Sequence, residues 1–172
     1  ALLRTSSEPS SILPDPGSTC LYLGASSGGT VSHIHDFVCG AENHHGGQVV
    51  AVEISPRMSR GLISLSESRP GMVPILGDAR KSMVVAPFIR SKADWIHQDL
   101  SIADQAENFV KMAITFLIPG GIGLLSLKAA SERSSEGDEN ARFHNAEIIL
   151  KNSELSLLER IELRGLEEQH VL

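Results

Sequence analysis

No apolar run in this sequence approaches the roughly 20 residues that a helix needs to cross a bilayer. The opening Ala1-Leu2-Leu3-Arg4 is too short to read as a secretory signal. Cysteine is scarce: Cys20 and Cys39 are the two present, expected as reduced, buried packing residues of an intracellular protein and not as a disulfide framework. Basic residues do not predominate. Fifteen Lys and Arg against 21 Asp and Glu leave a net charge of −6. Affinity for a phosphate backbone comes from Lys and Arg, so such a chain is expected to hold RNA or DNA poorly by itself. No internal repeat and no sign of a second domain are visible.

A metal centre is not expected either. His33 and His35 stand two apart, on different sides of a helix, whereas a helical metal pair needs a spacing of three or four. With His44 and His45 in a glycine-rich insert at 40–47, a zinc cluster is the alternative to surface and capping histidines.

What is present is an ordinary globular composition: 172 residues, 41% hydrophobic and 21% charged, enough for one domain with a core. The stretch Leu21-Tyr22-Leu23-Gly24-Ala25-Ser26-Ser27-Gly28-Gly29-Thr30 reads as a buried strand, a tight turn and a helix start. Val31, Ile34 and Val38 follow at helical spacing. Such a turn lets a ligand approach backbone and meet free N–H groups. A purely structural turn would look the same. The glycines do not fall as G-x-G-x-x-G, which argues against a dinucleotide pyrophosphate.

The next strands are more informative. Gln48-Val49-Val50-Ala51-Val52 ends in Glu53, which could accept from both ribose hydroxyls of a nucleoside. Val73-Pro74-Ile75-Leu76 ends in Gly77-Asp78, and Asp94-Trp95-Ile96-His97-Gln98 ends in Asp99. Acidic residues at three successive strand ends suit a nucleoside bound across the C-terminal edge of a parallel sheet. An open α/β sheet with helices on both faces is expected.

Three segments then carry a specific resemblance. Residues 21–33, Ala51-Val52-Glu53-Ile54-Ser55-Pro56-Arg57 and Pro74-Ile75-Leu76-Gly77-Asp78-Ala79-Arg80 resemble the signature of fibrillarin, in order, within a similarity running from about Pro16 to Val171. The resemblance implies a Rossmann-like S-adenosylmethionine-dependent methyltransferase fold. It implies 2′-O-methylation of ribose in rRNA or tRNA within a box C/D guide ribonucleoprotein. A Nop-type scaffold and a guide RNA would deliver the substrate, which suits the acidic charge. No membrane partner is expected. The location would be the nucleolus in a eukaryote and the cytoplasm in an archaeon.

By the same resemblance, backbone around Gly24, Ala25, Gly29 and Thr30 would hold the methionine end of S-adenosyl-L-methionine. Glu53 would hold the ribose and Ile54 would pack on the adenine. Asp78 would accept from the adenine amino group beside Ala79, and Asp99 and Ile102 would lie near the methyl donor. In fibrillarin a Lys-Asp-Lys-His constellation surrounds the reacting hydroxyl; Asp99, Lys128 and His170 match its last three members. Its first lysine would stand before Ala1. Ile102 occupies a position where the family has glutamine, and the flank of His170 at 163–169 departs from the family pattern. A plain ion pair is the structural alternative for Asp99 and Lys128. A non-catalytic fibrillarin-like subunit and a protein glutamine methyltransferase are the alternative functions.

The remaining chain reads as follows. Residues 1–18, rich in serine and proline, form a connector, and 19–172 a single domain. Ser55-Pro56 starts a helix with Met58, Leu62 and Leu65 as its buried stripe. A short broken helix covers 83–89, and a strong one 103–118, ended by Pro119-Gly120-Gly121. A strand covers 122–127, a mobile loop 131–140, and a helix 140–152 with Phe143, Ile148 and Ile149 as core candidates. A further strand is expected at 155–163, and residues 169–172 begin a last strand that is cut short.

Overall fold

The computed structural model describes residues 11–128, 139–161 and 170–171. Five parallel strands form one sheet in the order β3-β2-β1-β4-β5. They are β1 (Thr19–Leu23), β2 (Gln48–Glu53), β3 (Met72–Leu76), β4 (Ala93–Gln98) and β5 (Leu117–Leu125). The helices are α1 (Gly29–Val38), α2 (Pro56–Ser66), α3 (Ser82–Val85), α4 (Gln105–Phe116) and α5 (Glu139–Lys151). A two-residue strand, β6 (Leu127–Lys128), pairs antiparallel with β7 (His170–Val171). Strand order reverses between β1 and β4, and that reversal opens a crevice at the C-terminal strand ends.

Alternation along β1 explains the layers. Leu21 and Leu23 join a cluster with Phe109, Met112 and Phe116 of α4 and Phe143 of α5. Cys20 and Tyr22 point the other way, to Val31 and Val38 of α1, Leu62 of α2 and Trp95 of β4. A strand covered on both faces reads as an unbroken apolar run, as this one does. Each fully buried side chain of this size contributes about 1.5–3 kcal/mol. Both cysteines are buried and unbridged, and burial pushes the Cys39 thiol up to about 11.

Local signals act where expected at α2. The Ser55 hydroxyl accepts from the Met58 N–H at 3.4 Å, and Pro56 occupies the first turn. Elsewhere the structure differs from expectation. Helix α4 stops at Phe116, because Leu117 turns extended and pairs with Ala93. Pro119 has no N–H to donate and pushes its predecessor out of helical geometry. Residues 119–121 then form an irregularity inside β5 before Ile122 pairs with Trp95. No strand forms over 155–161; Leu155 packs against the core instead, and Ile161 is buried. Met58 and Ile148 are 37% and 43% exposed, their expected core places being taken by Ser59 and Ala146. His35 is buried, its Nε2–H donating to the Pro70 carbonyl at 2.9 Å. Residues 1–10 of the expected connector, 131–138 of the charged loop and 162–163 lie outside the described residues. Ile12 is buried, and its carbonyl accepts from the Trp95 indole at 2.9 Å.

Candidate active site

The strand ends meet around Gly24. Its N–H and that of Ala25 both donate to the Val52 carbonyl, at 2.9 and 3.0 Å. The Asp99 N–H donates to the Leu23 carbonyl at 2.8 Å, which continues the parallel pairing of β1 and β4 and keeps the two exits side by side. Gly24 has φ +93°, and a Cβ there would lie 2.2 Å from the Asp99 carbonyl oxygen. Helix α1 begins after Gly28 with no side-chain cap and no acidic residue in its first turn. Its N–H groups are thereby left for an anionic ligand group. Gly29 and Thr30 are exposed there, and a Cβ on Gly29 would meet nothing within 4 Å. Ala25 and Ala79 are buried in the two core clusters, so only their backbones can face a ligand.

Glu53 ends β2 half-buried. One carboxylate oxygen accepts from the Ser26 N–H at 2.8 Å and the other from the Ser55 N–H at 2.7 Å. These bonds fix the carboxylate while each oxygen keeps acceptor capacity. Ile54 beside it is 61% exposed, an apolar face open at the strand end. Asp78 is gripped by Arg80, whose Nε and Nη2 donate to its two oxygens at 2.9 and 2.8 Å. Those bonds hold the Asp78 carboxyl down at about 2 against the effect of partial burial. Asp78 is therefore an acceptor only at neutral pH.

On the other side of Gly24, the Lys128 ammonium lies 2.8 Å from an Asp99 carboxylate oxygen and donates to the Ser101 hydroxyl at 3.4 Å. His170 stands opposite Lys128 in the β6–β7 register; its side chain lies outside what is described. Ile102 is half-buried and lines a hollow of about 310 Å³ with Arg80, Ala103, Asp104 and Asn108. Among the described residues no cluster of His, Cys, Asp and Glu could hold a metal ion. A larger hollow, about 660 Å³, lies between α4, β5 and α5 and contains none of these strand-end residues.

Sequence reasoning missed the layer beneath the ion pair. His97 is buried between Tyr22 and Trp95, with ring centroids at 4.7 and 5.7 Å, and its Nε2 lies 2.8 Å from the Ser126 hydroxyl. Burial pushes it down to about 4, with Asp99 opposing and Lys128 reinforcing the shift. The folded value lies below the unfolded one, near 6.5, so the unfolded chain takes the proton first. Stability should therefore fall as pH drops from about 6.5 towards 4. Urea unfolding at pH 7 and pH 5 should show a smaller acid loss in His97→Phe than in wild type. An equal loss would mean that His97 is not the group responsible.

The sequence profile of the family described as Fibrillarin matches residues 8–172. The chain belongs to the fibrillarin family. A fibrillarin-like rRNA/tRNA 2′-O-methyltransferase from Methanopyrus kandleri is 38% identical over 157 residues, 91% of this chain and 65% of that protein. The chain thus spans about two thirds of the length of the curated fibrillarin relatives it matches. The Aeropyrum pernix fibrillarin, crystallised with natively bound S-adenosyl-L-methionine, superposes with a TM-score of 0.77 at 28% identity, over 91% of this chain and 65% of that one. A fibrillarin/Nop5p complex gives 0.80 at 28%, over 90% and 70%. The fold is the α/β fold of S-adenosylmethionine-dependent methyltransferases. Fibrillarin relatives include archaeal and eukaryotic proteins.

Proposed function

We propose that this chain binds S-adenosyl-L-methionine and carries the catalytic edge of an RNA 2′-O-methyltransferase acting on ribose in rRNA or tRNA. The observation that carries the reading is the Asp99–Lys128 ion pair, on the same sheet edge as Glu53 and Asp78. The residues present fit the cofactor. Glu53 is fixed with acceptor capacity for ribose hydroxyls, Ile54 offers an apolar face for adenine, and Asp78 accepts from the adenine amino group. The uncapped start of α1 around Gly29 and Thr30, with backbone at Gly24 and Ala25, suits a carboxylate; Ala79 and Ile102 line the rest.

When bound, the cofactor supplies an electrophilic methyl group. The chain's own residues deal with the acceptor, a ribose hydroxyl that is a weak nucleophile at neutral pH. Lys128 stabilises negative charge developing on its oxygen, and Asp99 orients the lysine or takes the proton, directly or through water. His170, opposite Lys128, positions or relays. Holding the hydroxyl in line can supply about 7–11 kcal/mol in favourable cases. Residues 19–172 act as one methyltransferase domain behind a connector at 1–18. With a net charge of −6, the chain relies on a Nop-type scaffold and a box C/D guide RNA for its substrate. The place of action is the nucleolus in a eukaryotic cell or the cytoplasm in an archaeon.

Calorimetric titration tests the binding half. The chain should bind S-adenosyl-L-methionine and not a nicotinamide dinucleotide. Glu53→Ala removes a charged acceptor and should weaken binding by about 1.5–3 kcal/mol. Tight dinucleotide binding, with no response to S-adenosyl-L-methionine or its demethylated product, would reject the assignment.

A further inference from the structure

The root of Lys128 is held by a side chain from another element. Gln105, the first residue of α4, is fully buried. Its Oε1 accepts from the Lys128 N–H at 3.0 Å, and its Nε2 donates to the Lys128 carbonyl at 2.9 Å. A side-chain amide offers the same donor and acceptor as a peptide group. Gln105 therefore pairs with Lys128 as one residue of an extra strand would. That partner is needed because β5 ends its pairing with β4 at Leu125 and β6 is two residues long. Without Gln105, the Lys128 N–H and carbonyl would each lose the hydrogen bond that its amide supplies.

Gln105 is itself anchored to the strand that delivers Asp99. Fully buried Gln98, the residue before Asp99, donates from Nε2 to the Gln105 carbonyl at 2.8 Å. Its Oε1 accepts from the Asn108 amide at 2.8 Å, and its carbonyl accepts from the Ser126 N–H at 2.8 Å. A chain of amides thus runs from the base of Asp99 through α4 to the base of Lys128. The lysine stem is long and flexible, so where its backbone sits decides where its ammonium can reach.

We propose that Gln105 is a positioning residue for the reaction, its amide clamping the Lys128 backbone so that the ammonium stays on Asp99. This rests on the reading of Lys128 as part of the methyl-transfer site. A misplacement on the order of 1 Å costs about 10²-fold in rate, and that is the loss in kcat expected for Gln105→Met in an assembled guide complex. Cofactor affinity and the KM for RNA should stay near wild type, because Gln105 is fully buried.

A second readout does not depend on methylation. In the free chain, acylation of lysines by an amine-reactive ester is followed residue by residue by mass spectrometry. Gln105→Met should raise labelling of Lys128 severalfold and leave Lys81 and Lys111 unchanged. Unchanged labelling of Lys128, or an equal rise at all three, would overturn the proposal. Should Gln105→Met fail to fold, amide exchange in wild type decides: protection of the Lys128 N–H comparable to that of Ser126 supports the clamp, and exchange at an open-loop rate overturns it. An inactive wild-type complex would instead strike the functional reading, with the labelling still judging the clamp.

Discussion

Lys128→Ala should lower methyl transfer by about 10²–10³-fold, the usual effect of deleting one preorganised group that stabilises charge in the transition state. Cofactor affinity should change little, because the lysine faces Asp99 and Ser101 and not the Glu53 and Asp78 side of the edge. Asp99→Ala should lower the rate by about 10²–10⁴-fold if the carboxylate handles the proton. The two groups touch at 2.8 Å, so they work as a unit. The double variant should therefore be little worse than the poorer single one, far from the product of the two losses. Single-turnover rates with saturating cofactor measure all three. Full activity in both single variants would make the pair structural.

Gly24→Ala should have the largest effect on the folded chain. A left-handed residue with a side chain costs about 1–2 kcal/mol before any contact is counted. Here the added methyl would also lie 2.2 Å from a backbone oxygen of Asp99, an atom that cannot rotate away. The close approach of the β1 and β4 exits would have to open. That would break the Asp99 N–H bond to Leu23 and carry Asp99 away from Lys128. Cofactor binding and catalysis should be lost together, with a marked drop in the urea midpoint. Gly29→Ala is the matched control for stability, because its Cβ would meet nothing within 4 Å. Equal midpoints for the two variants would show that the approach of the two exits is not tight.

The strand ends were legible because the sheet is parallel and doubly covered. Its central strands β1 and β2 are continuous apolar runs, so Gly24 and Glu53 each stand where a run stops, while Asp78 follows Gly77 past β3 and Asp99 follows the polar pair His97-Gln98 of β4. Ser55-Pro56 was legible because capping is local chemistry. The boundary of α4 was not, since Phe116 and Leu117 continue the helical pattern and only the pairing of Leu117 with Ala93 ends it. The same holds for His35, His97, Gln98 and Gln105. A polar side chain is buried when a partner distant in sequence accepts it: Pro70 for His35, Ser126 for His97, Lys128 for Gln105. Nothing within a few residues of any of them announces that partner. Arg80 falls within the Pro74–Arg80 motif, yet its grip on Asp78 exists only in the folded chain.

The most direct test is to find where the methyl group goes. The chain is assembled with a Nop-type scaffold, a box C/D guide RNA and a target RNA, using methyl-labelled S-adenosyl-L-methionine, and the digested target is read by mass spectrometry. The expected result is a 2′-O-methylated nucleotide at the guide-selected position, strongly reduced in Asp99→Ala and Lys128→Ala. Label on a base or on protein, or undiminished ribose methylation in both variants, would contradict it.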